Sequence, residues 1–277
     1  MGDDKIQIRL IAGIIPKIES FRLDDDYQNW HRLRKHRLIL YTYRYNFARI
    51  KKSLVFYKNV HHDDPVKFWV EGKVRRNFQR RITTNLLNYL AAIASIIDIT
   101  REVVKENLKI PEHISIYNRY KDELASHNKS SRFVRDLRNY TLHRSLLNVI
   151  VFFHSEWIND ELHQTGFPYL NRSELLQWSK WSPEAKAYLT KLDGEKVNLD
   201  EVIFSYHDRF MFLQDLLWCM ILVENRDSLQ RLLEKMERIE HEKETKGIEI
   251  ALPFSPYLMR YLSWILQKTD KTSVGKS

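Results

Sequence analysis

Apolar residues recur at steps of three and four through much of the chain. The clearest run is Phe78, Ile82, Leu86, Tyr89, Ile93 and Ile96, the signature of one buried helix face. It predicts a helix from about Arg76 to Asn107, roughly 45 Å long at 1.5 Å per residue. Beside it runs a second seam of small and polar residues at the same steps: Thr84, Asn88, Ala91, Ser95, Asp98 and Glu102. Ala91 and Ser95 permit close helix approach, and Asn88 and Asp98 could face a polar site or plain solvent. A solvent face would ordinarily carry more Lys and Glu than this one.

The rest of the chain reads mainly as helix. Residues 1–23 look irregular, with an extended segment at Ile6–Ile15 that ends at Pro16. Asp24, Asp25 and Asp26 then supply N-cap chemistry and favour the positive end of a helix dipole, predicting a helix to about Val60. Pro111 breaks the chain, and a helix from about Ser115 to Ser126 follows. The β-branched and aromatic run 147–153 suggests a strand, paired in a small hairpin with its turn near Gly166-Phe167-Pro168. Ser182-Pro183 reads as an N-cap with proline at the first helical position. Asn198 with Glu201 resembles a capping box, opening a long helix that breaks near Asn225–Asp227 and continues to about Glu244. A last short helix, about Ser255 to Lys268, precedes a polar tail. The expected class is therefore all-α with a small β-hairpin near 147–170. The expected organisation is an N-terminal extension with a basic helix (1–75), a helical core (76–245), and a C-terminal helix with a disordered tail (246–277).

Composition narrows the function classes. The chain has 277 residues with only 7 Gly and 7 Pro, which disfavours turn-rich folds. No Gly-rich phosphate fingerprint occurs. A single cysteine, Cys219, excludes an intrachain disulfide, fits a reducing cytoplasm, and lies in an apolar run that reads as core. The longest apolar runs, Leu146–Phe153 and Phe210–Val223, are short or interrupted by Gln214 and Asp215, so neither is expected to span a bilayer. The net charge of +9 favours anionic partners, with nucleic acid the commonest. Arg32, Arg34, Lys35, Arg37, Arg44, Arg49, Lys51 and Lys52 make the helix that ends near Val60 basic, either as a solvated face or as an RNA contact. His61, His62, Asp63 and Asp64 are adjacent and cannot all converge on one ion, so no metal and no cofactor is expected. The aromatic residues, Trp178 and Trp181 among them, read more readily as packing than as base-stacking surfaces.

The chemistry concentrates in Arg135-Asp136-Leu137-Arg138-Asn139-Tyr140-Thr141-Leu142-His143-Arg144. Histidine takes up and releases protons near neutral pH. Arginine is permanently charged and grips phosphate oxygens with a planar fork. RNA carries its own nucleophile, the 2′-hydroxyl, so cleavage needs only a base, an acid and positive charge on the phosphorane. Five positions separate Arg138 from His143, about 140° around a straight helix. Asn139 and His143 share a face, with Arg135 one turn earlier, so the phosphate contact can fall to either Arg135 or Arg138. A purely structural alternative stands beside this one: Asp136 pairs with Arg132, and His143 is a satisfied core histidine.

The segment Leu137-Arg138-Asn139-Tyr140-Thr141-Leu142-His143 resembles the signature of the HEPN superfamily: an arginine, a polar residue, and a histidine after a short spacing. Asn88-Tyr89-Leu90-Ala91-Ala92 and Asp98-Ile99-Thr100-Arg101 resemble the first long helix of bacterial HEPN-like proteins. The resemblance covers about residues 76–145. It implies a HEPN-like four-helix bundle with N- and C-terminal helical extensions that forms a homodimer and brings two motifs together. In active members it implies metal-independent endoribonuclease chemistry on tRNA, mRNA or rRNA. Arg138 would then hold phosphate, His143 act as acid or base, and Asn139 orient the site. Arg135 and Arg144 are expected as RNA contacts, Asn88 and Asp98 as supporting residues. The resemblance further implies a cytoplasmic toxin–antitoxin or phage-defence (antiviral) setting, with a nucleotidyltransferase as a possible antitoxin. The alternative is an inactive HEPN module that binds RNA or protein.

Overall fold

A computed structural model describes residues 16–59, 72–124, 128–144, 146–159, 161–246, 254 and 256–273. The His61–Asp64 cluster, the extended segment at Ile6–Ile15 and the last four residues lie outside them. The described chain is predominantly all-α: ten helices and one three-stranded sheet. In order these are α1 (16–23), then α2 (Asp25–Asn59), α3 (Gly72–Asn107), α4 (Pro111–Asp122), α5 (Lys129–His143), β1 (Ile150–Ile158), β2 (Glu161–Asn171), α6 (Arg172–Leu176), α7 (Pro183–Lys191), β3 (Lys196–Asn198), α8 (Leu199–Glu224), α9 (Arg226–Thr245) and α10 (Pro256–Ser273).

Two compact units form, interleaved along the chain. One comprises Met1–Arg37, Val103–His113 and Leu217–Ser277; the other comprises Leu38–Glu102 and Ile114–Leu216. In the second unit, α2, α3, α5 and α8 contribute to one core, including Tyr43, Leu54, Ile82, Leu86, Tyr89, Ile93, Phe133, Leu137, Ile203 and Phe210. The whole stripe foreseen on α3, Phe78 to Ile96, is buried there. Among the described residues α3 is also the one helix long and apolar enough to cross a bilayer, and its apolar stripe is spent on this core. The first unit has its own core, with Phe21, Trp30, Leu229, Leu232, Met236, Leu262 and Ile265.

Several local expectations need correction. Residues 16–23 are helical, with Ile18 and Phe21 buried. Pro111 opens α4, at a position where a missing N–H costs nothing. The hairpin exists, but its turn lies after Ile158, where Asn159 takes φ 51°. Gly166 and Pro168 are paired within β2, opposite Phe153 and Val151. Asparagine tolerates the left-handed region that this reversal requires. α8 begins where the capping box placed it, but Glu201 N donates to Asp200, and the buried Asn198 Oδ1 has no hydrogen-bond partner among the described residues. Cys219 is exposed, not core. It falls on the outward face of α8, between buried Leu217 and Met220. The last helix runs to Ser273, past the expected end at Lys268.

Candidate functional site

Helix α5 carries the motif, and its position is fixed on one side by an aromatic and polar anchor. Asn128 caps it, accepting from Ser131 N at 3.0 Å. Phe133 packs against Trp181 and Tyr188, and Tyr140 against Trp178 and Trp181. Both tryptophans are buried, so they pack as expected and offer no exposed platform. Asp136 is buried and accepts from Ser182 N at 3.0 Å, at the start of α7. Its other oxygen lies 3.4 Å from Arg132 Nε, which also donates to Ser182 Oγ at 3.1 Å. A carboxylate at a helix N-terminus is favoured by the helix dipole and by the charge-assisted hydrogen bond. The foreseen Arg132–Asp136 pair thus exists and acts as an anchor.

On its other side α5 faces α3 across a groove of about 170 Å³. Arg101, Arg132, Arg135 and Arg138 line it, with Asp98 and Asn139 and a floor of Leu90, Ile93 and Ile97. Arg135 and Arg138 therefore line one surface, which removes the need to choose between two faces of the helix. Asp98 is ion-paired with Arg101 at 3.0 Å. Among the described residues, neither Arg135 nor Arg138 has a side-chain ion pair. Burial pulls the Arg135 guanidinium below its ordinary pKa; the nearby Tyr206 hydroxyl and Asp136 oppose this, and Arg132 and Arg101 reinforce it. The group is still a cation, but a destabilised one that an anion would relieve.

The other expected site residues do not line this groove. His143 is exposed in the last turn of α5, and Arg144 is exposed as its C-cap, its N–H donating to Tyr140 O at 2.9 Å. The core-histidine alternative is therefore excluded for His143. Asn88 is exposed on α3, farther back along the helix than the groove residues. Arg101 and Arg132 join the groove although the motif did not mark them. Arg101 was findable, three positions beyond Asp98 and beside the polar seam of α3.

Adjoining the groove, and sharing Ile97, Arg101 and Arg135 with it, is a smaller cavity of about 80 Å³. Its further lining includes Thr100, Tyr117, Lys121, Tyr206, Phe210 and Gln214. Nothing in the sequence pointed to it, because its walls come from four separate helices. A more open cavity of about 530 Å³ lies elsewhere in this unit, at Tyr120, Asp208 and Phe212. Its one arginine, Arg209, is set against Glu123 and Asp208, so it lacks the positive surplus of the groove. Among the described residues no three His, Cys, Asp or Glu side chains are grouped to hold a metal. The eight cations foreseen on α2 are all exposed.

No family model, no curated protein and no solved structure matches this chain.

Proposed function

We propose that this protein binds RNA on the arginine-lined α3–α5 groove and cleaves it without a metal, in the manner of HEPN ribonucleases. The observation that carries the reading is the gathering of Arg101, Arg132, Arg135 and Arg138 around Asn139, with the two carboxylates present already committed to Arg101 and Arg132. In this reading Arg138 holds a phosphate oxygen and Asn139 orients the phosphodiester. His143 takes the proton of the 2′-hydroxyl or delivers one to the departing 5′-oxygen. Attack of the 2′-oxygen on phosphorus expels the 5′-oxygen and leaves a 2′,3′-cyclic phosphate. A single exposed His143 supplies one of the two proton-transfer groups, so a second copy of the chain would supply the other. Leu142 and Leu146, exposed on either side of His143, give such a homodimer apolar surface to bury. The HEPN resemblance adds a toxin–antitoxin or phage-defence setting, with a nucleotidyltransferase antitoxin as the partner to seek.

The test is incubation of wild-type and His143→Ala protein with tRNA and total RNA in EDTA, with analysis of product ends. Cleavage by the wild type alone, leaving cyclic phosphates, is the expected result. A second reading, RNA binding without cleavage, is favoured by the absence of His143 from the groove lining. It predicts equal RNA affinity for both proteins and no products from either.

A further inference from the structure

The small cavity beside the groove has a donor set that RNA backbone contacts on α5 do not explain. Tyr206 is 1% exposed, yet its hydroxyl has no hydrogen-bond partner among the described residues. A buried hydroxyl without a partner is costly and calls for an occupant. Arg135, half-buried and without an ion pair among the described residues, lines the same cavity together with Arg101 and Lys121. Thr100 donates to Gln214 Oε1 at 3.3 Å on another wall. Among the described residues no carboxylate lines it, and the remaining walls are Ile97, Leu124, Tyr117, Phe210 and Leu213. Arg135 and Lys121 line this space with the buried Tyr206, Arg101 is shared with Asp98 of the groove, and with no acidic side chain in the lining among the described residues the set suits an anion rather than a cation.

Size narrows the class. A cavity of about 80 Å³ is roughly half the roughly 150 Å³ that accommodates benzene, so it is too small for a nucleobase. It suits one tetrahedral oxyanion. We propose that this cavity is a binding site for a phosphate-sized oxyanion, held by Arg135 and Arg101 and receiving a hydrogen bond from the Tyr206 hydroxyl. The occupant is inorganic phosphate or the terminal phosphate of a nucleotide chain, whose remainder would lie in the adjoining groove. The site does not depend on cleavage by His143, so its success or failure is independent of the ribonuclease reading.

Tyr206→Phe is the informative variant, because it removes the hydroxyl and keeps the ring. Isothermal titration calorimetry would be run on wild type, Tyr206→Phe and Arg135→Gln, with inorganic phosphate and with a dinucleotide carrying or lacking a 5′-terminal phosphate. Thermal melts with and without phosphate would accompany it. The expected result is saturable one-site binding to the wild type, weakened about tenfold or more in each variant. Without ligand, Tyr206→Phe should melt at or above the wild-type temperature, since an unpaired buried hydroxyl has been deleted. Binding of inorganic phosphate identifies the free ion as sufficient. Binding of the phosphorylated dinucleotide only identifies a chain terminus. No saturable binding of either overturns the proposal. So does unchanged affinity in Tyr206→Phe, and so does a lowered melting temperature with unchanged affinity, which would mean that the hydroxyl serves a buried water.

Discussion

Lowering the pH should destabilise this protein through a histidine distant from the motif. His207 on α8 is partly buried, with its ring stacked on Phe47 at a centroid separation of 3.3 Å and an interplanar angle of 2°. Its Nδ1 lies 3.0 Å from Tyr43 Oη, which lies 3.2 Å from Tyr89 Oη. Both tyrosines are held well above the usual phenol pKa, burial being the largest cause, so they remain neutral. A neutral imidazole accepts from Tyr43, and Tyr43 accepts from Tyr89. A protonated one would reverse this chain and place a charge between aromatic rings. Burial pulls the His207 pKa from 6.5 to about 4, with Asp208 opposing and Arg44 and Lys51 reinforcing. Between those values the unfolded chain binds the proton and the folded chain does not. The stabilisation is therefore complete above about 6.5 and is lost as the pH falls towards about 4. At about 1.4 kcal/mol per pH unit the full displacement is about 3 kcal/mol, and solvent screening of a partly exposed ring reduces this to about 1.5 kcal/mol. The window lies above that of Asp26, whose carboxyl is held near 2 despite burial by its bonds to Arg231, Ser228 and Lys235. Urea unfolding of wild type and His207→Gln at pH 7.5 and 4.5 measures the effect, because glutamine retains an acceptor and does not titrate. The wild type should lose about 1–1.5 kcal/mol more than the variant across that range. Equal losses, or an NMR titration of His207 at or above 6.5, would refute the reasoning.

Two further outcomes follow from the α5 geometry. Asp136→Ala strands Ser182 N–H and Arg132 and should cost about 2–3 kcal/mol in urea unfolding, whereas Asp136→Asn, which keeps an acceptor, should lose about half as much; equal effects would show that the anchor is not electrostatic. Arg138→Ala should weaken RNA binding across all sequences and reduce the slope of log affinity against log salt by roughly 0.7–1. An unchanged slope would remove Arg138 from the phosphate contacts.

Much of the helical frame was legible because burial enforces it. The stripe Phe78 to Ile96 could satisfy its apolar side chains only on one face of a helix, and that face is buried. Ser182 before Pro183 declared the start of α7, and the Ser182 hydroxyl does accept from Ala185 N. The hairpin was legible in its β-branched run, but its turn was not, because Asn159 performs the reversal that glycine usually marks. Helix α4 begins at Pro111, a residue that signals a break in the sequence and serves here as a first turn. At the site, Arg135, Arg138, Asn139 and Asp98 were within reach, since a motif or a polar seam placed each on a recognisable face. Tyr206, Thr100 and Gln214 were not. Their residue types are unremarkable in helices, and only tertiary folding brings positions 100, 135, 206 and 214 to one cavity.

This chain treats its cations in two contrasting ways, and the contrast favours an anionic partner. Where Arg231 and Lys235 serve structure, the charges balance: both meet Asp26, and Lys235 also meets Asp24 at 2.6 Å. In the α3–α5 groove four arginines meet two aspartates, and each aspartate already has its own arginine. Arg135 and Arg138 are left over in a concave, partly dry place where mutual repulsion is less screened than on an open surface. Such a surplus lowers the stability of the empty protein and is relieved when an anion enters. By linkage, whatever relieves it must stabilise the fold in proportion to the logarithm of its concentration. Melting temperature against phosphate or RNA concentration therefore reads the groove directly, even where no product is formed.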